Sequence, residues 1–359
     1  MKIITIIGAR PQFVKAAIVS HYICEHNARS SVQIDERILH TGQHYDYNMS
    51  QIFFEQMGIP APEWHLGCTG SVEQMRDAII PIIANNADYV MVYGDTNSTL
   101  AGALAAEACA IPLIHIEAGL RSRNAAMAEE YNRIQTDQRS TLLFCPTTTA
   151  IANLQQEGIT RGVYHVGDVM YDATLFFANK AAKQSNILEQ LNISEKDYYL
   201  ATIHRAETTD NADCLANILR AFQQIQTPII LPIHPRTRKV IEHSPCLQEL
   251  LLQANSLHVI DSVSYMDMLQ LEHHASLILT DSGGVQKEAY FHRVPCVTMR
   301  NETEWIETIE AGWNTLVGTD TARIVGACCT QPTKRQEITE YGNGNAAQQI
   351  IDILCQNAY

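Results

Sequence analysis

The chain has 359 residues, a length that favours two domains of ordinary size over one. Hydrophobic residues make up 46% and charged residues 18%, which allows a sizeable core and excludes a wholly disordered chain. With 25 Lys+Arg against 39 Asp+Glu the net charge is −14, so there is no general electrostatic reason to bind nucleic acid or an anionic membrane surface.

No apolar run approaches the ~18 residues of a membrane span. The opening run from Met1 to Gly8 ends in glycine without a small-residue cleavage site, and reads as a buried strand and not a signal peptide. The ten cysteines scatter through apolar segments with no Cys-x-x-Cys pair, as free thiols of a reducing cytoplasm do. No His, Cys and carboxylate group has metal-ligand spacing, and no Walker sequence is present. Gly342-Asn343-Gly344 is the one near match to a dinucleotide fingerprint and precedes no complete βαβ unit. Neither a metal nor a cofactor is expected.

Strands are predicted at residues 3–7, 34–39, 89–93, 113–116, 142–144 and 164–166, with helices at 15–25, 72–84, 99–110 and 148–156 between them. Short apolar strands alternating with helices mean βαβ units and a parallel sheet covered on both faces. After a helix near 172–183 and a polar stretch at 184–197 the pattern starts afresh. Strands are predicted at 198–203, 228–233, 257–260, 277–280 and 296–298, helices at 212–224, 265–271 and 285–291, and a last helix at 346–356. The expected fold is therefore α/β, two Rossmann-like doubly wound domains facing a cleft. They are placed at 1–168 and 169–340, with 341–359 as a terminal helix.

Five stretches at strand ends could carry chemistry. In Gly8-Ala9-Arg10-Pro11-Gln12, with Lys15 a turn on, glycine allows close backbone approach to a ligand, and Arg10 and Lys15 at a helix N-terminus suit a phosphate. Gly94-Asp95-Thr96-Asn97-Ser98-Thr99 puts Asp95 where sites are built, although each of its polar residues is also a good helix cap. His115-Ile116-Glu117-Ala118-Gly119-Leu120-Arg121 ends a strand in Glu117, either functional or paired with Arg121 or Arg123. Glu129 and Glu130 open a helix; with Asp95 and Glu117 they suit general acid–base work. Thr202-Ile203-His204-Arg205 opens the second set, and Ile233-His234-Pro235-Arg236 repeats its pattern. In Thr280-Asp281-Ser282-Gly283-Gly284, backbone amides can cradle a phosphate, and Glu288 on the next turns can hold ribose hydroxyls.

These motifs, in this order over essentially the whole chain, resemble the non-hydrolysing bacterial UDP-N-acetylglucosamine 2-epimerases. Gly8-Ala9-Arg10-Pro11-Gln12-Phe13, His40-Thr41-Gly42-Gln43-His44 and Arg300-Asn301-Glu302-Thr303-Glu304-Trp305 resemble in particular the UDP-2,3-diacetamido-2,3-dideoxyglucuronate 2-epimerases of surface-polysaccharide synthesis. The resemblance implies a glycosyltransferase B-type fold whose last helix returns to the first domain, and a cytoplasmic homodimer acting on a UDP-sugar. It implies elimination of UDP to a glycal and re-addition. It assigns proton handling to Asp95, Glu117 and Glu129, and support of the leaving diphosphate to His204 and Arg205. Arg10, Ser282, Gly283 and Gly284 would bind phosphate, Glu288 the ribose, and Lys15 and His234 would complete the substrate-binding set. Two departures stand out: Ala128 where the family commonly has proline, and Ala126 where the subgroup often has arginine. Gln12, where the family's motif usually ends in glutamate, either spares a C6 carboxylate from repulsion and so favours a uronate, with Arg10, Lys15, Arg121 and Arg205 as nearby cations, or points away from the sugar and serves only as a helix first-turn residue. The alternatives are a UDP-N-acetylglucosamine 2-epimerase and a glycosyltransferase of the same architecture.

Overall fold

The structure, a computed structural model, describes residues 1–43, 54, 57–124, 127–332 and 334–357. His44, Ala125 and Ala126 lie outside the described residues. The chain forms two compact units, Met1–Phe176 with Thr339–Tyr359, and Phe177–Ile338.

In the first unit the strands are β1 (Lys2–Ile7), β2 (Asp35–His40), β3 (Trp64–His65), β4 (Tyr89–Tyr93), β5 (Leu113–Ile116), β6 (Leu142–Cys145) and β7 (Val163–His165). They form one parallel sheet in the order β3-β2-β1-β4-β5-β6-β7. Helices α1 (Arg10–Arg29), α2 (Val72–Ile83), α3 (Asn97–Ala108), α4 (Ala128–Asp137) and α5 (Thr148–Gln156) connect them. Helix α6 (Val169–Gln184) carries the chain from one unit into the next, the units dividing between Phe176 and Phe177. The central strands are nearly all apolar, as strands covered on both faces must be. One face packs Ile4, Ile6, Val90 and Val92 on Met75, Ile79 and Ala103 of α2 and α3.

In the second unit α7 (Ile187–Leu191) precedes the sheet. The strands are β8 (Tyr199–Thr202), β9 (Ile229–Pro232), β10 (Leu257–Ile260), β11 (Leu277–Thr280), β12 (Cys296–Thr298) and β13 (Asn314–Leu316), in the parallel order β10-β9-β8-β11-β12-β13. The helices are α8 (Ala206–Thr209), α9 (Ala212–Gln224), α10 (Pro235–Glu242), α11 (Pro245–Leu252), α12 (Tyr265–His274), α13 (Gly283–Phe291), α14 (Ile306–Glu310) and α15 (Thr321–Cys329). Separate apolar clusters, around Leu219 and Phe222 and around Leu271 and Ala289, cover the sheet.

Every predicted strand is present, within a residue or two of its predicted ends at most places. The sequence reading missed β3 and β13, edge strands of two and three residues, too short to show a period. It also began α1 five residues late. The helix starts at Arg10 because Pro11 suits a first turn and the Gln12 side chain accepts from the Gly8 and Ala9 amides at 2.8 and 3.1 Å.

The last helix, α16 (Ala346–Gln356), belongs to the first unit and packs on α1. Its Ala347 N–H donates to Asp172 of α6 at 2.7 Å. Burial pushes the Asp172 carboxyl up to about 6, against the opposing Ala347 bond. Because that value lies above the unfolded one, protonation favours the folded chain. The contribution is full below about pH 4 and is lost as pH rises through about 6. Asp172→Asn keeps an acceptor for Ala347 and removes the titration. Thermal unfolding at pH 4 to 7 should show the variant gaining on the parent with rising pH, by on the order of 2 kcal/mol.

Candidate functional site

A doubly wound sheet opens a crevice where its winding reverses, because crossovers from two adjacent strands leave in opposite directions. In the first sheet that point lies between β1, which leads to β2, and β4, which leads to β5; in the second it lies between β8 and β11. The predicted residues gather there. Arg10 and Lys15 follow β1, Asp95 follows β4 and Glu117 follows β5; in the other unit His204 and Arg205 follow β8, and Ser282, Gly283, Gly284 and Glu288 follow β11. His234 lies one strand further, after β9.

In the first unit each of two carboxylates meets a cation. Glu117, at φ 70°, ion-pairs with Lys15, and both are nearly buried. Lys15, and not Arg121 or Arg123, is the partner the structure supplies. Gly94, at φ 63°, makes room for it, since a Cβ there would stand 3.2 Å from Lys15 Nζ. Asp95 accepts from Arg133 Nη2 at 2.6 Å, and its backbone carbonyl accepts from Asn132 Nδ2 at 2.9 Å.

The structure separates the two adjacent glutamates on α4. Glu130 is buried and accepts from Ser122 N–H and Oγ, Arg123 N–H and Arg133 Nη1, at 2.8 to 3.0 Å. It braces the loop at 122–124. Glu129 is half-buried. Ala128 is exposed at the start of the same helix.

Asp137, at the other end of α4, ties the loop after β5 together. Its oxygens accept from Gly119 N–H at 3.1 Å and Arg121 Nη1 at 2.8 Å, and meet His115 Nδ1 at 2.7 Å. Burial alone would raise its carboxyl, but His115 and Arg121 outweigh it and hold it below the ordinary value. The other His115 nitrogen meets the Gly94 carbonyl at 2.8 Å. Both ring nitrogens thus lie within hydrogen-bond distance of an oxygen.

In the second unit the fully buried Asp281 carboxylate accepts the His204 N–H at 3.1 Å and the Arg205 N–H at 3.0 Å, which fixes the turn that presents both side chains. The His204 ring stands 5.5 Å from that of His234, centroid to centroid. His234 caps α10, its Nδ1 accepting from Arg236 N–H at 3.1 Å. Ser282 caps α13, and neither Gly283 nor Gly284 has positive φ. A Cβ on Gly283 would meet Arg205 Nη2, Glu304 Oε2 and Trp305 Nε1 at an ordinary 3.6 Å, and one on Gly284 only Ser282 Oγ at 3.9 Å. Packing therefore does not demand these glycines. They leave the first amides of α13 open, with the Arg205 and Trp305 donors close by. Glu288 is buried on the next turn. Lys287 is buried too, its ammonium 3.9 Å from the Trp305 ring centre.

A family model described as UDP-N-acetylglucosamine 2-epimerase matches residues 26–355. The chain belongs to this family. It is 47% identical over 365 residues to a Methanococcus maripaludis protein named UDP-N-acetylglucosamine 2-epimerase homolog, covering 99% of each. It is 47% identical over 370 residues to the UDP-2,3-diacetamido-2,3-dideoxy-D-glucuronate 2-epimerase of Pseudomonas aeruginosa, covering 99% of this chain and 100% of that one. The crystal structure of the Methanocaldococcus jannaschii UDP-GlcNAc 2-epimerase in complex with UDP-GlcNAc and UDP superposes with a TM-score of 0.90 at 38% identity, over 99% of this chain and 100% of that chain. These relatives are UDP-sugar 2-epimerases, and the present epimerase is accordingly an isomerase.

Three residues have structural roles that their local sequence did not show. Packing by itself demands Gly8: a Cβ there would overlap the Thr41 and Ser98 hydroxyls, which bond each other at 2.8 Å. Gln12 does not face a sugar pocket. It is buried, and its amide nitrogen donates to the Tyr93 carbonyl and Thr99 Oγ1 at 3.1 and 3.0 Å, a task a carboxylate could not perform. Arg121 is not a substrate cation, being committed to Asp137 and, through a two-pronged bond at 2.7 Å, to Glu157. Sequence reasoning missed Asp137 and the anchoring role of Asp281, and it gave Arg133 no role. A carboxylate inside a helix or strand end carries no mark of which distant donors it will gather. The epimerase should tolerate Gly284→Ala, with a thermal midpoint equal to or above the parent's, since alanine suits a helix start better. Gly8→Ala should cost about 1–3 kcal/mol of stability by overpacking, measured by denaturant unfolding.

Proposed function

We propose that the chain inverts C2 of a UDP-2-acetamido sugar, with UDP-2,3-diacetamido-2,3-dideoxyglucuronate as preferred substrate and its manno-configured isomer as product. The observation that carries the reaction class is the set of carboxylates Asp95, Glu117 and Glu129 at the winding reversal and at the start of α4, two of them held against cations. The uronate rests on the likeness to the Pseudomonas relative and not on Gln12. Family resemblance adds cytoplasmic surface-polysaccharide precursor synthesis and a homodimer.

The C2 proton of such a sugar is not next to a carbonyl, so enolisation is closed to it. A carboxylate takes that proton. The electron pair of the C–H bond forms the C1=C2 double bond as the C1–O bond to UDP breaks, and a glycal results. The same UDP oxygen then re-adds to C1 while C2 is protonated on the opposite face, with no net oxidation. Asp95, Glu117 and Glu129 handle the protons, and Lys15 compensates the charge of Glu117. The open amides of Gly283 and Gly284, at the positive end of α13 and capped by Ser282, favour the diphosphate whose charge grows as it leaves. Arg205 stands beside them; His204, Arg10 and His234 assist binding, and Glu288 holds the ribose hydroxyls.

Incubation with the UDP-sugar in heavy water, with no acceptor, should give a second UDP-sugar carrying deuterium at C2, with a slow leak of UDP and glycal. A glycosyltransferase would leave the sugar unchanged, and a hydrolysing epimerase would accumulate UDP. The uronate should show a higher kcat/KM than UDP-N-acetylglucosamine; the reverse order would replace the substrate and keep the reaction. Glu129→Gln should lose about 10²–10⁴-fold in kcat with UDP binding retained. Glu288→Ala should weaken UDP binding, measured by calorimetry.

A further inference from the structure

Asp95 and Glu117 leave different strands, and their proton chemistry requires a fixed separation. Asp95 follows Gly94, whose N–H donates to the Ile116 carbonyl at 3.0 Å and whose own carbonyl meets His115 Nε2 at 2.8 Å. Glu117 follows Ile116 and lies between His115 on one side and Gly119 and Arg121 on the other. All three of those residues bond one side chain, that of Asp137. Glu117 also stands at φ 70°, a conformation that a non-glycine residue keeps only when its surroundings enforce it. The side chains of His115 and Asp137 are both 0% exposed. A buried ionic chain of this kind is costly unless every member is satisfied, and here it is closed at the far end by the two-pronged Arg121–Glu157 bond.

We infer that Asp137 is a positioning residue: through His115 it sets the place of Asp95, and through Gly119 and Arg121 that of Glu117. The inference rests on the reading of these two carboxylates as proton-handling groups. Asp137 touches no reacting atom. It holds the ends of β4 and β5 in one register, so that a proton can leave and return at the same carbon. Displacement of such groups by about 1 Å is enough to cost on the order of 10²-fold in rate.

The experiment uses the full chain and whichever of the two UDP-sugars the parent turns over faster, with deuterium at C2 as readout. His115→Gln places an amide nitrogen where Nε2 reaches the Gly94 carbonyl and gives up Asp137. His115→Asn keeps the link to Asp137 and gives up Gly94. Asp137→Asn keeps the shape and removes the charge. The expected result is a kcat loss of about 10²-fold for Asp137→Asn and for both His115 variants, each of which breaks one link of the Asp137–His115–Gly94 chain, with KM and UDP affinity within about threefold of the parent throughout. Folded variants with parental kcat would overturn the inference, as would kcat losses that track only the thermal midpoints of the variants. Where an Asp137 or His115 variant does not fold, Arg121→Lys, which keeps a cation on Asp137 and gives up the Glu157 fork, decides by the same split between kcat and KM. A parent that incorporates no deuterium from either sugar would instead overturn the functional reading.

Discussion

The constraint on which the rest depends is the coverage of a parallel sheet on both faces. Each unit meets it by winding helices first to one side and then to the other, and the winding can reverse only once in each sheet. The loops beside the reversal cannot close over the strand ends. In the first unit the reversal lies beside the residues after β1 and β4; in the second, beside those after β8 and β11. The candidate chemistry sits on those four loops and their immediate neighbours because that is where a doubly wound sheet has room.

Within that room, charge is organised by pairing. Lys15 answers Glu117, Arg133 answers Asp95 and bridges to Glu130, and Asp137 stands between His115 and Arg121. Buried carboxylates without such partners would be costly. The pairs also sort the acids by task. Glu130 spends its oxygens on four donors and is structural, whereas Glu129, one residue away, is only half-buried. The second unit repeats the division: Asp281 is consumed by the backbone of the His204-Arg205 turn, while the amides of Gly283 and Gly284 are left for a ligand.

The glycines show why a motif and its physical cause must be kept apart. Gly8 and Gly283 both follow a strand and open a helix, and both belong to the family pattern. Gly8 is required because two hydroxyls crowd it. Gly283 has space for a side chain and is glycine for some other reason, which under the proposed function is access of a diphosphate to the helix amides.

The sequence alone determined the α/β class, the two sheets, all but two of the strands, and the loops on which site residues lie. These are local properties, since apolar runs, glycines and helix starts announce themselves within a few residues. It also marked Asp95 and Glu117, acids at strand ends, as candidates, and grouped with them the Glu129-Glu130 pair that opens a helix. Tertiary structure alone decided which partner each acid takes. Lys15 reaches Glu117 across more than a hundred residues because β1 and β5 flank β4 in one sheet. Gln12, read as either a sugar-facing or a first-turn residue, turns inward because Tyr93 and Thr99 present acceptors there. Asp137 looked like any acid near the end of a helix and became the hub of the first unit, because the fold brought His115, Gly119 and Arg121 to it. Long-range hydrogen bonds depend on the order in which strands assemble, and that order is not written in any one segment of the chain.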